Sequence, residues 1–314
     1  MLNSSEVTQD KLSLRLLEEI AIIKQEAQSR ENYSIKRETF DYLQELIDFG
    51  ADPNFRYKLR KIHENSLPAW YDHSIVLIYP LFDAIQSNKL DLVRFLLENG
   101  ADPNFSATLT ISPVWLALDQ PVILQALLDA GANPNQPNSR SDYPLHAAIA
   151  ANQIQIVSQL LRAGADYDQP NDVGERPIFL TILHQNIDIL FDLLSNGVNV
   201  NIYDRMRGLY PLDLALDLLR YSSQQIGVEY NPVIVDLLLV AGAKSKNLIR
   251  QWQNLSRMLE EKLTYLGFHN EQIDQFELSD LADIPPNVED YDEVLTEIKN
   301  LLHVTSAIKE FLEL

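Results

Sequence analysis

Apolar residues along this chain fall into short stripes of helical spacing that stop at one recurring phrase. Its first copy is Leu46-Ile47-Asp48-Phe49-Gly50-Ala51-Asp52-Pro53-Asn54 and its second is Leu96-Leu97-Glu98-Asn99-Gly100-Ala101-Asp102-Pro103-Asn104. Looser copies surround Gly131, Gly164, Gly197 and Gly242, so six of the ten glycines occupy this one place. The apolar pair closes a buried stripe, and Gly takes the left-handed conformation that ends a helix without a Cβ clash. Asp-Pro-Asn then favours an extended segment entering a turn.

A second phrase lies between the glycines. It reads Tyr79-Pro80-Leu81-Phe82-Asp83-Ala84, Ser112-Pro113-Val114-Trp115-Leu116-Ala117, Tyr143-Pro144-Leu145-His146-Ala147-Ala148, Arg176-Pro177-Ile178-Phe179-Leu180-Thr181 and Tyr210-Pro211-Leu212-Asp213-Leu214-Ala215. Proline suits a first helical turn, where its missing N–H has no intrahelical acceptor to lose. Each such phrase starts a helix, and each Gly phrase ends the following one, at a period near 33. The spacing also locates insertions. Gly50 to Pro80 is about 17 residues longer than the later Gly-to-Pro links, which extends the first hairpin over roughly 55–74. Pro113 to Gly131 is short, so a helix or its connecting turn is cut near Gln120-Pro121. Pro211 to Gly242 is long, which predicts a first helix running to about Gln225 and a second starting at Asn231-Pro232.

These phrases resemble the ankyrin repeat, whose pattern is T-P-L-H-x-A-A, a second helix, then L-L-x-x-G-A-D-x-N. The copy from Tyr143 to Asp168 matches best, with Pro144, Leu145, His146, Ala147 and Ala148 in place. The resemblance covers about residues 36–246. It implies an all-α ankyrin-repeat solenoid of about six helix-turn-helix repeats with hairpin loops. The motif His is replaced by Phe82, Trp115, Phe179 and Asp213, which leaves open how those repeats bond their neighbouring turns. Trp115 and Phe179 are expected to be largely buried, facing the neighbouring repeat.

Both ends depart from the period, as terminal repeats must to offer a polar face to water. Lys11 to Gln28 reads as an amphipathic helix with Leu12, Leu16, Leu17, Ile20 and Ile23 on one side. Residues 1–35 are assigned to an N-terminal capping helix, 36–246 to repeats with insertions near 55–74 and 219–230, and 247–314 to a helical C-terminal cap. Within that cap, Asn247 to Leu266 and Val288 to Leu312 read as long helices, with a short one near Glu271 to Leu281.

Composition narrows the function. The net charge is −20 over 314 residues, with a pI near 4.6, which disfavours nucleic acid and anionic membranes as general partners. With no cysteine, disulfides, thiolate zinc sites and Cys nucleophiles are excluded. No 18-residue uncharged run exists, so no membrane span is expected, and no signal peptide is read at Met1 to Ile23. The six histidines form no H-E-x-x-H pattern, and no phosphate-binding, dinucleotide-binding or serine-nucleophile motif occurs. No cofactor, metal site or catalytic residue is assigned, and the expected object is a cytoplasmic, monomeric, non-enzymatic protein-binding module.

The resemblance places candidate partner-binding residues at hairpin tips and first-helix ends: Leu109, Arg140, Asp172, Glu175, Arg205 and Met206 at tips, and His184 at a helix end. The competing reading is that these are solvated turn residues. The insertion adds Arg56, Tyr57, Arg60, Trp70 and Tyr71, a basic and aromatic stretch of the kind that anchors contacts; it could equally pack on the chain's own acidic body. Residues 271–297 hold ten carboxylates and no Lys or Arg, either a solvated face or a surface for a basic partner. Two alternatives stand beside the binding module. One is an enzyme or regulator with its activity in the C-terminal helices. The other is a bacterial effector acting on a host protein, because the acidic tail ending in Leu312 and Leu314 resembles a type IV secretion signal.

Overall fold

The computed structural model describes residues 4–30, 33–55, 57–59, 76–105, 112–138, 140–222, 230–266, 268, 276–277, 280 and 291–312. The fold is all-α, with fourteen helices and one short two-stranded ribbon among these residues. The chain divides into two compact units, residues 1–148 with 155–166, and residues 149–154 with 167–314.

The first unit opens with α1 (Ser4–Ser29) and α2 (Arg37–Asp48). Then come strands β1 (Tyr57–Leu59) and β2 (Val76–Ile78), and helices α3 (Pro80–Gln86), α4 (Leu90–Glu98), α5 (Pro113–Leu116) and α6 (Pro121–Asp129). The two strands pair antiparallel with Tyr57 opposite Ile78, so the insertion prolongs its hairpin as a ribbon. Helix α1 packs on α2 and α3, α3 on α4 and α5, and α4 on α6. First helices therefore touch first helices, and second helices touch second helices. Helix α5 is only one turn long, so the short Pro-to-Gly spacing reflects a cut helix, with Ser112 Oγ accepting the Trp115 N–H at its start. Helices α7 (Pro144–Ala150) and α8 (Ile154–Arg162) follow.

The second unit continues with α9 (Pro177–Leu183), α10 (Ile187–Ser195), α11 (Pro211–Ser222) and α12 (Val233–Val240). Asn231 Oδ1 accepts the Val233 N–H, the N-terminal bond that the sequence leads one to expect there. Helix α9 packs on α10 and α11, and α12 packs on α10 and α11, repeating the two layers. The unit closes with α13 (Leu248–Tyr265) and α14 (Tyr291–Phe311), which pack on each other. Helix α13 also touches α11 and α14 touches α12, so this pair continues both layers after the sequence motif has ended. Trp252 Nε1 donates to the Thr305 carbonyl at 3.1 Å, and Lys262 pairs with Glu297. Burial lowers the Lys262 ammonium below its ordinary range, with Glu293 opposing that effect. The short helix expected near 271–281 lies almost wholly outside the described residues.

Six helices end in the same way. At each motif Gly the φ angle is positive, between 75° and 102°. The Gly N–H bonds the carbonyl three residues back and the next N–H reaches five residues back, as in Gly131 to Leu128 and Ala132 to Leu127. This is the Schellman arrangement, and it satisfies two otherwise orphaned carbonyls per helix.

The motif Asn four residues after Gly supplies the bonds between successive hairpins. Asn54 Nδ2 donates to the Gly100 carbonyl at 2.9 Å and its Oδ1 accepts the Asp102 N–H at 2.7 Å. Asn104 does the same to Gly131 and Asn133, Asn135 to Gly164 and Asp166, and Asn201 to Gly242 and Lys244. At the start of the array, fully buried Ser13 of α1 takes the acceptor's part, receiving the Asp52 N–H at 2.8 Å. Lys24 of the same helix pairs with Asp83 of α3 at 2.6 Å.

Asp168 is the weak rung. It occupies the Asn position but a carboxylate has no N–H for the Gly197 carbonyl, and the bond it accepts from the Asn199 N–H is 3.4 Å long. Asp168→Asn is expected to stabilise the chain by about 0.5–1.5 kcal/mol, the usual net worth of one added hydrogen bond. A urea midpoint unchanged or lowered by this substitution would contradict the rung assignment.

Candidate functional site

Hairpin tips are built from local bonds that begin at an Asn or Asp every 33 residues: Asn138, Asn171 and Asp204. Asn138 Oδ1 accepts the Arg140 and Asp142 N–H groups, and Asn171 Oδ1 accepts the Glu175 N–H. A left-handed residue completes each turn, Ser141, Gly174 or Gly208. The turn at Asp204 is one residue longer than the others and closes through an isolated bridge between Asp204 and Leu209. That residue is the reason Gly197 to Pro211 spans one position more than the preceding links.

In the second unit two tips are tied together. Arg207 Nη1 donates to Asp204 Oδ2 at 2.9 Å, and its other arm binds Glu175 on the neighbouring tip. Burial alone would raise the Asp204 carboxyl, but the Arg207 and Met206 amides and the Arg207 guanidinium outweigh it and hold it below the usual carboxylate range. The Arg207 guanidinium is correspondingly raised, burial being overcome by Glu175 and Asp204. A Cβ on Gly174 would lie 3.9 Å from Met206 Cγ, which shows how closely the tips approach. The Tyr203 and Tyr210 rings meet edge to face at 5.1 Å. On this braced surface Met206 is 85% exposed and Val173 63% exposed. Asp172 and Arg205 are exposed beside them, and so is His184, which follows α9 at its C-cap.

These findings sort the expected site residues. Asp172, Arg205, Met206 and His184 are brought to the surface of one unit, and Arg140 is exposed on its own turn. Glu175, on the neighbouring tip, is engaged by Arg207. Arg56, Arg60, Trp70, Tyr71 and Leu109 lie outside the described residues, and of Tyr57 only the strand backbone is described. Arg207 and Tyr203 were not among the expected site residues. The 33-residue recurrence of Asn138, Asn171 and Asp204 could have located their turns.

Two of the substituted motif-His side chains, Trp115 and Asp213, bond the base of the next hairpin by different chemistry. Trp115 Nε1 donates to the Gln136 carbonyl at 2.9 Å. Asp213 binds Ser245 and the Lys246 N–H. Phe82 forms a buried cluster with Tyr79, against which Phe105 and Leu116 pack. Trp115 is half-buried, with its N–H directed to the hairpin backbone. Phe179 is buried as expected.

Two sequence-family comparisons fit this geometry. A family described as Ankyrin repeats (3 copies) matches residues 115–204, and one described as Ankyrin repeat matches residues 78–107. Ankyrin repeats are therefore present in the chain over these residues. The chain is 31% identical over 130 residues to Ankyrin repeat and SOCS box protein 12 of Mus musculus, a match covering 36% of this chain and 40% of that protein. The chain thus spans less than half the length of this curated relative. The ankyrin repeats indicate a protein–protein interaction module. Among the described residues no group of three or more His, Cys, Asp or Glu could hold a metal ion, and no helix is long and apolar enough to cross a membrane.

Proposed function

We propose that the chain is a non-enzymatic binding protein that engages a partner protein through the tips around Val173 and Met206, with Asp172, Arg205 and the His184 helix end at the margin. The observation that carries this reading is a pair of exposed apolar side chains on turns whose backbone is held by side-chain bonds and the Arg207 clamp. A contact surface ordered in advance loses little entropy on binding, which is what a small anchor needs. Helix α1 and the pair α13–α14 serve as end caps in this reading.

The test is capture of the partner by the intact chain, by Val173→Glu/Met206→Glu, and by Phe191→Glu, a control whose ring is 59% exposed on α10. The tip variant should lose the partner while unfolding at the parent temperature. Retention by the tip variant with loss by Phe191→Glu would move the contact to the second-helix face.

For delivery as an effector, the acidic tail would have to stay accessible. Glu297 is engaged by Lys262, and Ile298, Leu301, Leu302, Val304 and Ile308 are buried. This favours a structural role for α14 over a secretion signal. Undiminished export of a reporter fusion after removal of the last 20 residues would settle against the signal.

A further inference from the structure

In a chain of net charge −20, residues 237–259 contain Lys244, Lys246, Arg250 and Arg257 and no acid. Lys246, Arg250, Gln253 and Arg257 are spaced by four, three and four residues, so they share one side of α13 and its approach. All four are exposed, as is Lys244, and Ile249 beside them is 57% exposed. The opposite side of α13 is buried through Leu255, Leu259 and Leu263. None of Lys244, Lys246, Arg250 and Arg257 forms an ion pair with a described residue, and Arg257 bonds only the Asn254 amide oxygen, at 3.2 Å.

The approach to this strip is rigid. The Lys244 N–H is held by Asn201, the Lys246 N–H by Asp213, and the Asn247 N–H by Ser245 Oγ. Its charge also runs against the helix's own electrostatics. A first turn favours acids, because the N-terminal amides carry partial positive charge. This first turn has no acid and places Arg250 there. Stability of the isolated helix does not account for that choice, whereas an external anion does.

We propose that the exposed side of α13, from Lys244 to Arg257, docks a short acidic peptide segment of a partner protein, with one apolar residue of that segment on Ile249. This rests on the reading of the chain as a protein-binding module and names the chemistry of the partner. Lys246 to Arg257 spans about 16 Å along the helix, the length of about five extended residues. Glu260 and Glu261 stand on the next turn, both exposed, and end the cationic strip. A nucleic acid long enough to bind well would run onto these acids and the negative body, so a short segment fits and a long polyanion does not.

The experiment measures fluorescence anisotropy of a labelled Glu-Leu-Asp-Glu-Glu peptide with the full chain in 50 mM and 300 mM NaCl. Saturable binding at low salt is expected, weakened at high salt and weakened about tenfold by Lys246→Glu/Arg250→Glu. Both positions are exposed, and an unchanged melting temperature checks that the variant is folded. Lys246→Arg/Arg250→Lys should restore binding. Absence of saturable binding, equal binding by the charge-reversed variant, or tighter binding of a ten-nucleotide oligothymidylate through the same residues would overturn the proposal. Val173→Glu/Met206→Glu should leave peptide binding intact. A peptide that fails while that variant still loses its partner would refute the α13 strip and leave the tip reading standing.

Discussion

Phe179→Ala is expected to lower stability by about 3–5 kcal/mol, the cost of emptying a large aromatic site in a packed interior. Phe179 is 1% exposed and heads the largest fully buried side chains. It stands on α9, which packs on both α10 and α11. Phe191→Ala, on the exposed side of α10, is the matched control and should change little. Urea unfolding should show a lower midpoint for Phe179→Ala with a similar slope. A midpoint equal to that of the parent would place the ring at the surface and break the assigned register.

The features legible in the sequence were those set by neighbouring residues. Gly50, Gly100, Gly131, Gly164, Gly197 and Gly242 end helices because positive φ is a local demand that glycine meets at low cost. Pro80, Pro113, Pro144, Pro177 and Pro211 mark helix starts for an equally local reason, and the short Pro113–Gly131 link pointed to a cut helix or turn, which is the one-turn α5. What depends on two separated segments was hidden. The Arg207 clamp needs the tips at Glu175 and Asp204 to lie side by side, and no property of Arg207 alone announces that. The bond from the Trp115 indole N–H to the Gln136 carbonyl likewise joins two segments 21 residues apart. The continuation of both layers by α13 and α14 was hidden for the opposite reason. Helices without the repeat phrase can still offer an apolar side of the right width, and Leu255, Leu259 and Leu263 do so.

Asp213→Ala is expected to cost about 2–4 kcal/mol, for reasons of polarity where Phe179 acts by volume. Asp213 is 4% exposed, and its carboxylate accepts the Tyr210 N–H at 3.0 Å and the Lys246 N–H at 3.1 Å, together with the Ser245 hydroxyl. It joins the start of α11 to the loop that launches α13. Removing the side chain leaves those donors without their acceptor in a site with little water. The loss is moderated because a buried carboxylate is itself costly to desolvate. Asp213→Asn, which keeps one acceptor oxygen, should fall between Ala and the parent. A second readout separates this from a generic packing defect. The Asp217 carboxyl is raised by burial, with Arg220 lowering it and the Asp213 charge raising it further. Neutralising Asp213 as Asn should therefore move the Asp217 titration, followed by carboxyl NMR, toward lower pH. An Asp217 titration that stays in place, or moves upward, would mean that the Asp213 charge is not felt at Asp217. A folded Asp213→Ala protein of parental stability would show that the α11–α13 connection is held by packing alone.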